Sequence, residues 1–240
     1  MPFQAEVNLE LAIDNMHWRI AEHPAAPGMP YGQEGRSAVV YRLDNGTEAR
    51  ALKVFKPRYR LPSLVALAQK LQPFADTPGL AVCQRTVLTP QHHAALLRQY
   101  PDLIYAVLMP WIEGPTWMEV VLRRDDPQDS VLSQEQSLAL ARALIAILAE
   151  MEQRSVAHCD LSGPNVLLPG ILPTAERSGG GGDVALVDVE QLYGPGLERP
   201  NVLPGGSPGY AHQTAPDGLW SSEADRFAGA VLAAEMLGEC

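Results

Sequence analysis

The polar stretch His158-Cys159-Asp160-Leu161-Ser162-Gly163-Pro164-Asn165, with Ala185-Leu186-Val187-Asp188-Val189-Glu190 downstream, constrains this chain more than any other feature. The first fits H-x-D-L-x-x-x-N, in which an acid handles a hydroxyl proton and an amide five residues on holds a metal. In the second, another acid emerges from an apolar strand. Either fragment alone is a serviceable polar turn between apolar runs. The two in this order are hard to reach by chance.

The remaining bounds are permissive. A chain of 240 residues is long enough for one two-lobed domain or two small ones with a substantial core. A formal net charge of -10 argues against nucleic-acid binding as the main activity, because a phosphate backbone demands a basic face. Cys83, Cys159 and Cys240 are odd in number and far apart, which points to neither a disulfide framework nor a zinc site, and so to a reducing cytoplasm. The first residues, Met1-Pro2-Phe3-Gln4, lack the basic and apolar segments of a secretory signal. The most apolar run, 137–151, is too short for a bilayer and is interrupted by Arg142, so no membrane span is expected.

The first third reads as β-rich. Ala38-Val39-Val40-Tyr41 and Ala51-Leu52-Lys53-Val54-Phe55 flank the hairpin signal Asp44-Asn45-Gly46. A helix is expected over 61–74, with Leu64, Leu67, Ala68 and Leu71 on one face, then strands over 82–88 and 104–109. Pro110, Gly114 and Pro115 mark a connector, which sets the expected division at 1–110 and 111–240. Ser133-Gln134-Glu135-Gln136 is a capping box that opens a helix carrying Leu138, Ala141, Ile145 and Leu148 toward His158. The run 169–183, with Gly179-Gly180-Gly181-Gly182, reads as a flexible loop between short strands. An apolar helix capped by Ser222 is expected over 222–237.

In this order the elements resemble the eukaryotic-like protein kinase superfamily, in a divergent form of the sort found in bacteria, over roughly residues 28 to 240. The resemblance rests on the 158–165 stretch, Asp188, and Gly206-Ser207-Pro208-Gly209-Tyr210, which is similar to a G-T-P-x-Y substrate-docking loop. It implies an α+β bilobal fold: a small β-rich lobe with one main helix and a larger, mostly helical lobe, with ATP and Mg²⁺ bound between them. Lys53, in Ala51-Leu52-Lys53, resembles the lysine that touches the α- and β-phosphates, with Ala51 beside it. Gly32 to Tyr41 resembles the phosphate-covering loop and its strand: aligned on Val40, Gly35 falls on a glycine position, while Gln33 and Ala38 occupy the other two. Met109 is expected beside the adenine, with the Trp111 backbone as its hydrogen-bond donor, since Pro110 has no N–H. The resemblance makes Asp160 the group that orients the attacking hydroxyl, and Asn165 and Asp188 the ligands of Mg²⁺. His158 is given a structural role, and Asp225 resembles the helix aspartate that accepts catalytic-loop amides.

The departures matter as much. No acidic residue lies between Val54 and Ala75 to pair with Lys53, leaving Gln69, Gln72 or phosphate alone as partners. Ser162 replaces a lysine that would face the transferring phosphoryl. Cys159 replaces an arginine that would receive a phosphorylated loop, and between Asp188 and Ser207 the only hydroxyl is Tyr193, so regulation by loop phosphorylation is not expected. Asp188-Val189-Glu190 stands for D-F-G, and Glu190 is either a further metal ligand or a solvated loop acid. Gln213-Thr214 stands for a P-E pair, and the chain ends before the late helices, so the lower lobe is expected to be cut short or reduced.

The reading is an ATP- and Mg-dependent phosphotransferase acting on serine or threonine of a protein, without nucleic-acid or membrane partners. Its rivals are a small-molecule phosphotransferase of the aminoglycoside- or choline-kinase kind, favoured by Ser162 and the D-x-E pattern, and a nucleotide-binding pseudokinase scaffold.

Overall fold

The structure is a computed structural model and describes residues 3–123, 132–171, 183–201, 203, 206–212, 214–215 and 218–238. The glycine run 179–182, Gln213 and Cys240 lie outside the described residues. The chain divides into two compact units, 1–72 with 83–111, and 73–82 with 112–240.

The first unit is built on a seven-stranded antiparallel sheet. Its strands are β1 (Glu10–Ile13), β2 (Met16–Ile20), β5 (Gly32–Glu34), β6 (Ala38–Asp44), β7 (Ala49–Phe55), β8 (Thr86–Val87) and β9 (Val107–Pro110), while β3 (Glu22–His23) and β4 (Ala26–Pro30) pair separately. The β6–β7 hairpin forms at Asp44-Asn45-Gly46 as its turn chemistry predicts, with Gly46 at φ +87° and Asn45 Oδ1 accepting from the Thr47 and Glu48 amides. Strand β7 is central and buried from Ala51 to Phe55, so it reads as a continuous apolar run broken only by Lys53.

Register assigns the two faces of this sheet different work. Cross-strand partners share a face, and Ile20 opposite Leu43, with Val39 opposite Val54, places one set in a core with Leu11, Ile13, Trp18 and Leu52. Helix α2 (Ala94–Gln99) closes this core through Leu96, together with Leu103 and Ala106. Each leucine fully buried there contributes about 1.5–3 kcal/mol. Helix α1 (Ser63–Leu71) buries Ala68 and Leu71 and continues into a 3-10 turn, Gln72–Phe74. The expected strand over 82–88 shrinks to Thr86–Val87, because Ala81–Cys83 coils into a 3-10 turn.

The second unit contains α3 (Trp117–Arg123), α4 (Gln134–Gln153), α5 (Arg226–Gly238) and the short pair β10 (Val166–Leu167) and β11 (Ala185–Leu186). The capping box of α4 is formed in both directions, Gln136 N–H to Ser133 Oγ and Ser133 N–H to Gln136 Oε1. Its buried face is Leu140, Leu144, Ile147 and Met151, with Ala141. The expected stripe is therefore displaced: Leu138 and Ile145 are 37% and 52% exposed. Both stripes satisfy helical periodicity, and packing decides between them. Helix α5 lies against α4 through Gly229, where a Cβ would come within 2.5 Å of Leu148 Cδ1. That helix starts at Arg226 instead of 222, because residues 221–226 form turns closed by i to i+3 bonds, Ala224 N–H to the Ser221 carbonyl and Arg226 N–H to the Glu223 carbonyl. No helix among the described residues is long and apolar enough to cross a membrane.

Candidate active site

The loop after α4 enters under backbone control. Ala157 and Tyr193 exchange both amide bonds, at 3.0 and 2.8 Å, which fixes the chain just before His158. The His158 and Cys159 amides then both donate to the buried carboxylate of Asp225, the latter at 2.9 Å. Burial pushes the Asp225 carboxyl up, while His158 and the two amides oppose that shift. Cys159 itself sits at φ +65°, a conformation a non-glycine residue holds only when its surroundings impose it. Its thiol is pushed up to about 12, first by burial and then by the Asp225 charge.

One hydrogen bond closes the loop on itself and two join it to the Asp188 segment. Asn165 Nδ2 donates to the Asp160 carbonyl at 2.8 Å, the Val187 amide donates to the Asn165 carbonyl at 3.0 Å, and His158 Nε2 meets the Val187 carbonyl at 2.7 Å. A carbonyl can only accept, so Nε2 carries the proton. His158 thus has a structural role, tying the loop to the strand end. Asp188 follows directly at φ +65°, the second non-glycine residue of the site in the left-handed region. Glu190 lies one short 3-10 turn further, Val189–Gln191.

This donor set suits Mg²⁺. Committing Nδ2 of Asn165 to the Asp160 carbonyl leaves Oδ1 as the atom of the amide that could take a cation, and the Val187 amide, next to Asp188, is tied to the Asn165 carbonyl. Hard oxygen donors few in number are what Mg²⁺ takes when phosphates complete its shell. Among the described residues no three His, Cys, Asp or Glu side chains cluster for a metal, so Asp160, Asp188 and Glu190 do not form such a group by themselves.

In the first unit, sheet register places most of the remaining candidates on one face, opposite to the core. Ala38 pairs Phe55, Val40 pairs Lys53, and Arg42 pairs Ala51, which in turn pairs Met109. Lys53 is 3% exposed, with Nζ 5.4 Å from the Phe55 ring centroid. Helix α1 carries no acid, in agreement with the sequence. Gly35 closes a tight turn, its amide donating to the Ala38 carbonyl at 2.8 Å. A Cβ there would meet only that carbonyl, at 3.5 Å, so nothing inside the protein demands a glycine. Trp111 packs its ring edge-on to Tyr31, at 5.1 Å between centroids, with Arg42 at 6.0 Å.

Among solved structures, that of vaccinia related kinase 3 matches 96% of this chain and 68% of that one, with a TM-score of 0.54 at 12% identity. The chain has a protein-kinase-like fold. In sequence it matches no protein-family model and no curated protein. Identity this low carries the fold alone, and the chemistry rests on the residues of this chain.

The sequence reading names the 206–210 segment but not the partner of its tyrosine. Ser207-Pro208-Gly209-Tyr210 forms a turn with Tyr210 N–H donating to the Ser207 carbonyl at 2.9 Å and Gly209 at φ +88°, as a Pro-Gly type II turn requires. The Tyr210 hydroxyl then reaches Glu235 of α5. A lone glutamate in the apolar run Phe227 to Leu237 is the signal that could have found this contact, since such a carboxylate needs partners.

Proposed function

We propose that this protein is an ATP- and Mg²⁺-dependent phosphotransferase that moves the γ-phosphoryl group to a hydroxyl, with serine or threonine of a protein as acceptor. The observation that supports the reading is the bonded set His158, Asp160, Asn165 and Val187, which ties the backbone of the 158–165 loop to the strand end that carries Asp188. Asp160 orients the acceptor hydroxyl and takes its proton. Asn165 and Asp188 hold the cation, with Glu190 as a further ligand. Bound Mg²⁺ neutralises phosphate charge, which is most of what phosphoryl transfer requires. From the first unit, Gly35, Ala38 and Val40 cover the phosphates, Lys53 contacts them, and Ala51, Met109 and Trp111 receive the adenine. The resemblance of Gly206-Ser207-Pro208-Gly209-Tyr210 to a substrate-docking loop is what favours a polypeptide acceptor.

Incubation with labelled ATP and Mg²⁺, following autophosphorylation and transfer to a generic basic protein, tests the reading. Label on protein is expected, and lost in Asp160→Asn. Label on small hydroxyl acceptors alone would move the assignment to a small-molecule phosphotransferase. Nucleotide binding without transfer to any acceptor would make the chain a pseudokinase.

A further inference from the structure

Gly32 is not one of the three glycine positions aligned on Val40, and it is glycine for another reason. A Cβ there would come within 2.8 Å of Cε1 and 2.9 Å of Cδ1 of Tyr41, its cross-strand partner, so the phenol ring lies against the β5 backbone. Strand β5 has few other holds. It is three residues long, pairs with β6 alone among the described strands, and leaves the side chains of Gln33 and Glu34 exposed. The Glu34–Lys56 ion pair, at 2.7 Å, stands mostly in solvent and adds little.

Tyr41 is held in turn by the N-terminal arm. Its ring belongs to the core face of the sheet, opposite Leu52 and away from Val40 and Lys53. Phe3 meets it edge-on, with centroids 5.9 Å apart and planes at 75°, and meets Tyr100 just after α2 in the same way, at 5.7 Å and 89°. Edge-to-face pairs at such separations attract beyond their apolar area. Ala5 and Leu9 pack on the same core, and the bonds Asn8 N–H to the Ile20 carbonyl and Ile20 N–H to the Leu9 carbonyl, at 2.9 and 3.1 Å, tie the end of the arm to β2.

The core itself does not require this series of rings. Leu11, Leu43, Leu52 and Leu88 are fully buried, while Phe3 is half-buried at their margin. Loss of the Phe3 ring therefore spares the core and releases Tyr41. Once Tyr41 is free to leave Gly32, β5 keeps its backbone bonds and little else.

We propose that Phe3 is a positioning residue: through Tyr41 and Gly32 it holds β5, and with it the turn that carries Gly35. The effect on nucleotide binding rests on the phosphotransferase reading, whereas the mechanical link does not.

Phe3→Ala, Phe3→Tyr and Gly32→Ala in the full chain test both. By hydrogen exchange, amides over 32–35 are expected to exchange roughly tenfold faster in Phe3→Ala, the loss of two aromatic contacts, with 49–55 of β7 unchanged. In transfer assays KM for ATP should rise about fivefold at unchanged kcat, because a looser phosphate cover weakens ground-state and transition-state binding alike. Phe3→Tyr keeps the ring and should match the wild type in both measurements. Gly32→Ala drives a Cβ against the Tyr41 ring and should raise KM as well. With Phe3→Ala beside it the ring can give way, so the double variant should lose less than the sum of the two. Unchanged exchange over 32–35 in Phe3→Ala, equal loosening of β7, an unchanged KM in the active enzyme, or additive losses in the double variant would overturn the proposal. If the wild type transfers no phosphate, the functional reading fails and the exchange pattern alone decides the link. Should Phe3→Ala not fold, Phe3→Leu, which keeps apolar volume without the ring, takes its place.

Discussion

The backbone amide of Cys159 donates to Asp225 Oδ1 at 2.9 Å, and Asp225 is thereby the side chain that holds Cys159 at φ +65°. Left-handed backbone at a non-glycine residue costs on the order of 1–3 kcal/mol, and two amide bonds to a buried carboxylate offset it. The neighbouring residue is Asp160, so relaxation at Cys159 displaces the acid on which the chemistry rests.

Asp225→Asn is accordingly expected to destabilise the fold. An amide has one accepting oxygen, so either the His158 or the Cys159 amide is left buried without an acceptor, at about 1–3 kcal/mol. Urea unfolding should show a lower midpoint at unchanged slope. An unchanged midpoint would mean the loop is held by other contacts.

The Cys159 thiol, pushed up to about 12 against an ordinary 9.0, should be nearly inert. At pH 8 the native protein then holds about a thousandfold less Cys159 thiolate than the unfolded chain. With Cys83 and Cys240 replaced by serine, iodoacetamide should label the native chain far more slowly than the chain in denaturant. The sign for stability follows: a folded pKa above the unfolded one contributes stability that is complete below about 9 and is lost as pH rises from there to about 12. Native and denatured chains labelling at equal rates would refute the burial argument.

Two glycines should separate function from folding. At Gly35 an added Cβ meets only the Ala38 carbonyl at 3.5 Å, so Gly35→Ala should leave the melting temperature unchanged while weakening ATP binding. At Gly209, φ +88° makes alanine strained, and Gly209→Ala should destabilise by about 1–2 kcal/mol. Calorimetry with and without nucleotide reads both, and an ATP affinity that survives Gly35→Ala would remove that loop from the site.

Local chemistry made much of this architecture legible. The Asn-Gly turn of β6–β7, the capping box of α4, and the 158–165 and 185–190 segments all carry short-range signals that the structure repeats. The resemblance begins near residue 28 and so gives no expectation for the β1–β2 hairpin, although Asp14 and Asn15, at φ +51° and +63°, form the kind of turn that joins twisted strands. The buried face of α4 and the contact of Glu235 with Tyr210 depend on where α5 packs, which periodicity within one helix does not encode. His158 shows the same limit. Its partner, the Val187 carbonyl, is a backbone group 29 residues away with no side-chain signature.

Asp160 and Asp188 should separate under substitution. Asp160 meets the incoming hydroxyl, so Asp160→Asn should keep the Mg-ATP thermal shift and lower turnover by roughly 10²–10⁴-fold, the usual worth of a positioned base. The variant is sterically mild, because the bond from Asn165 goes to the Asp160 backbone carbonyl and survives the change. Asp188→Asn should instead weaken Mg-dependent nucleotide binding, since a neutral amide is a poorer ligand for a hard dication that phosphates also bind. The wild-type melting temperature should rise as Mg-ATP exceeds its Kd, by the ordinary linkage of binding to folding. Equal activity in Asp160→Asn and wild type would remove the catalytic assignment, and equal Mg-ATP shifts in Asp188→Asn and wild type would remove the metal assignment, each without touching the other.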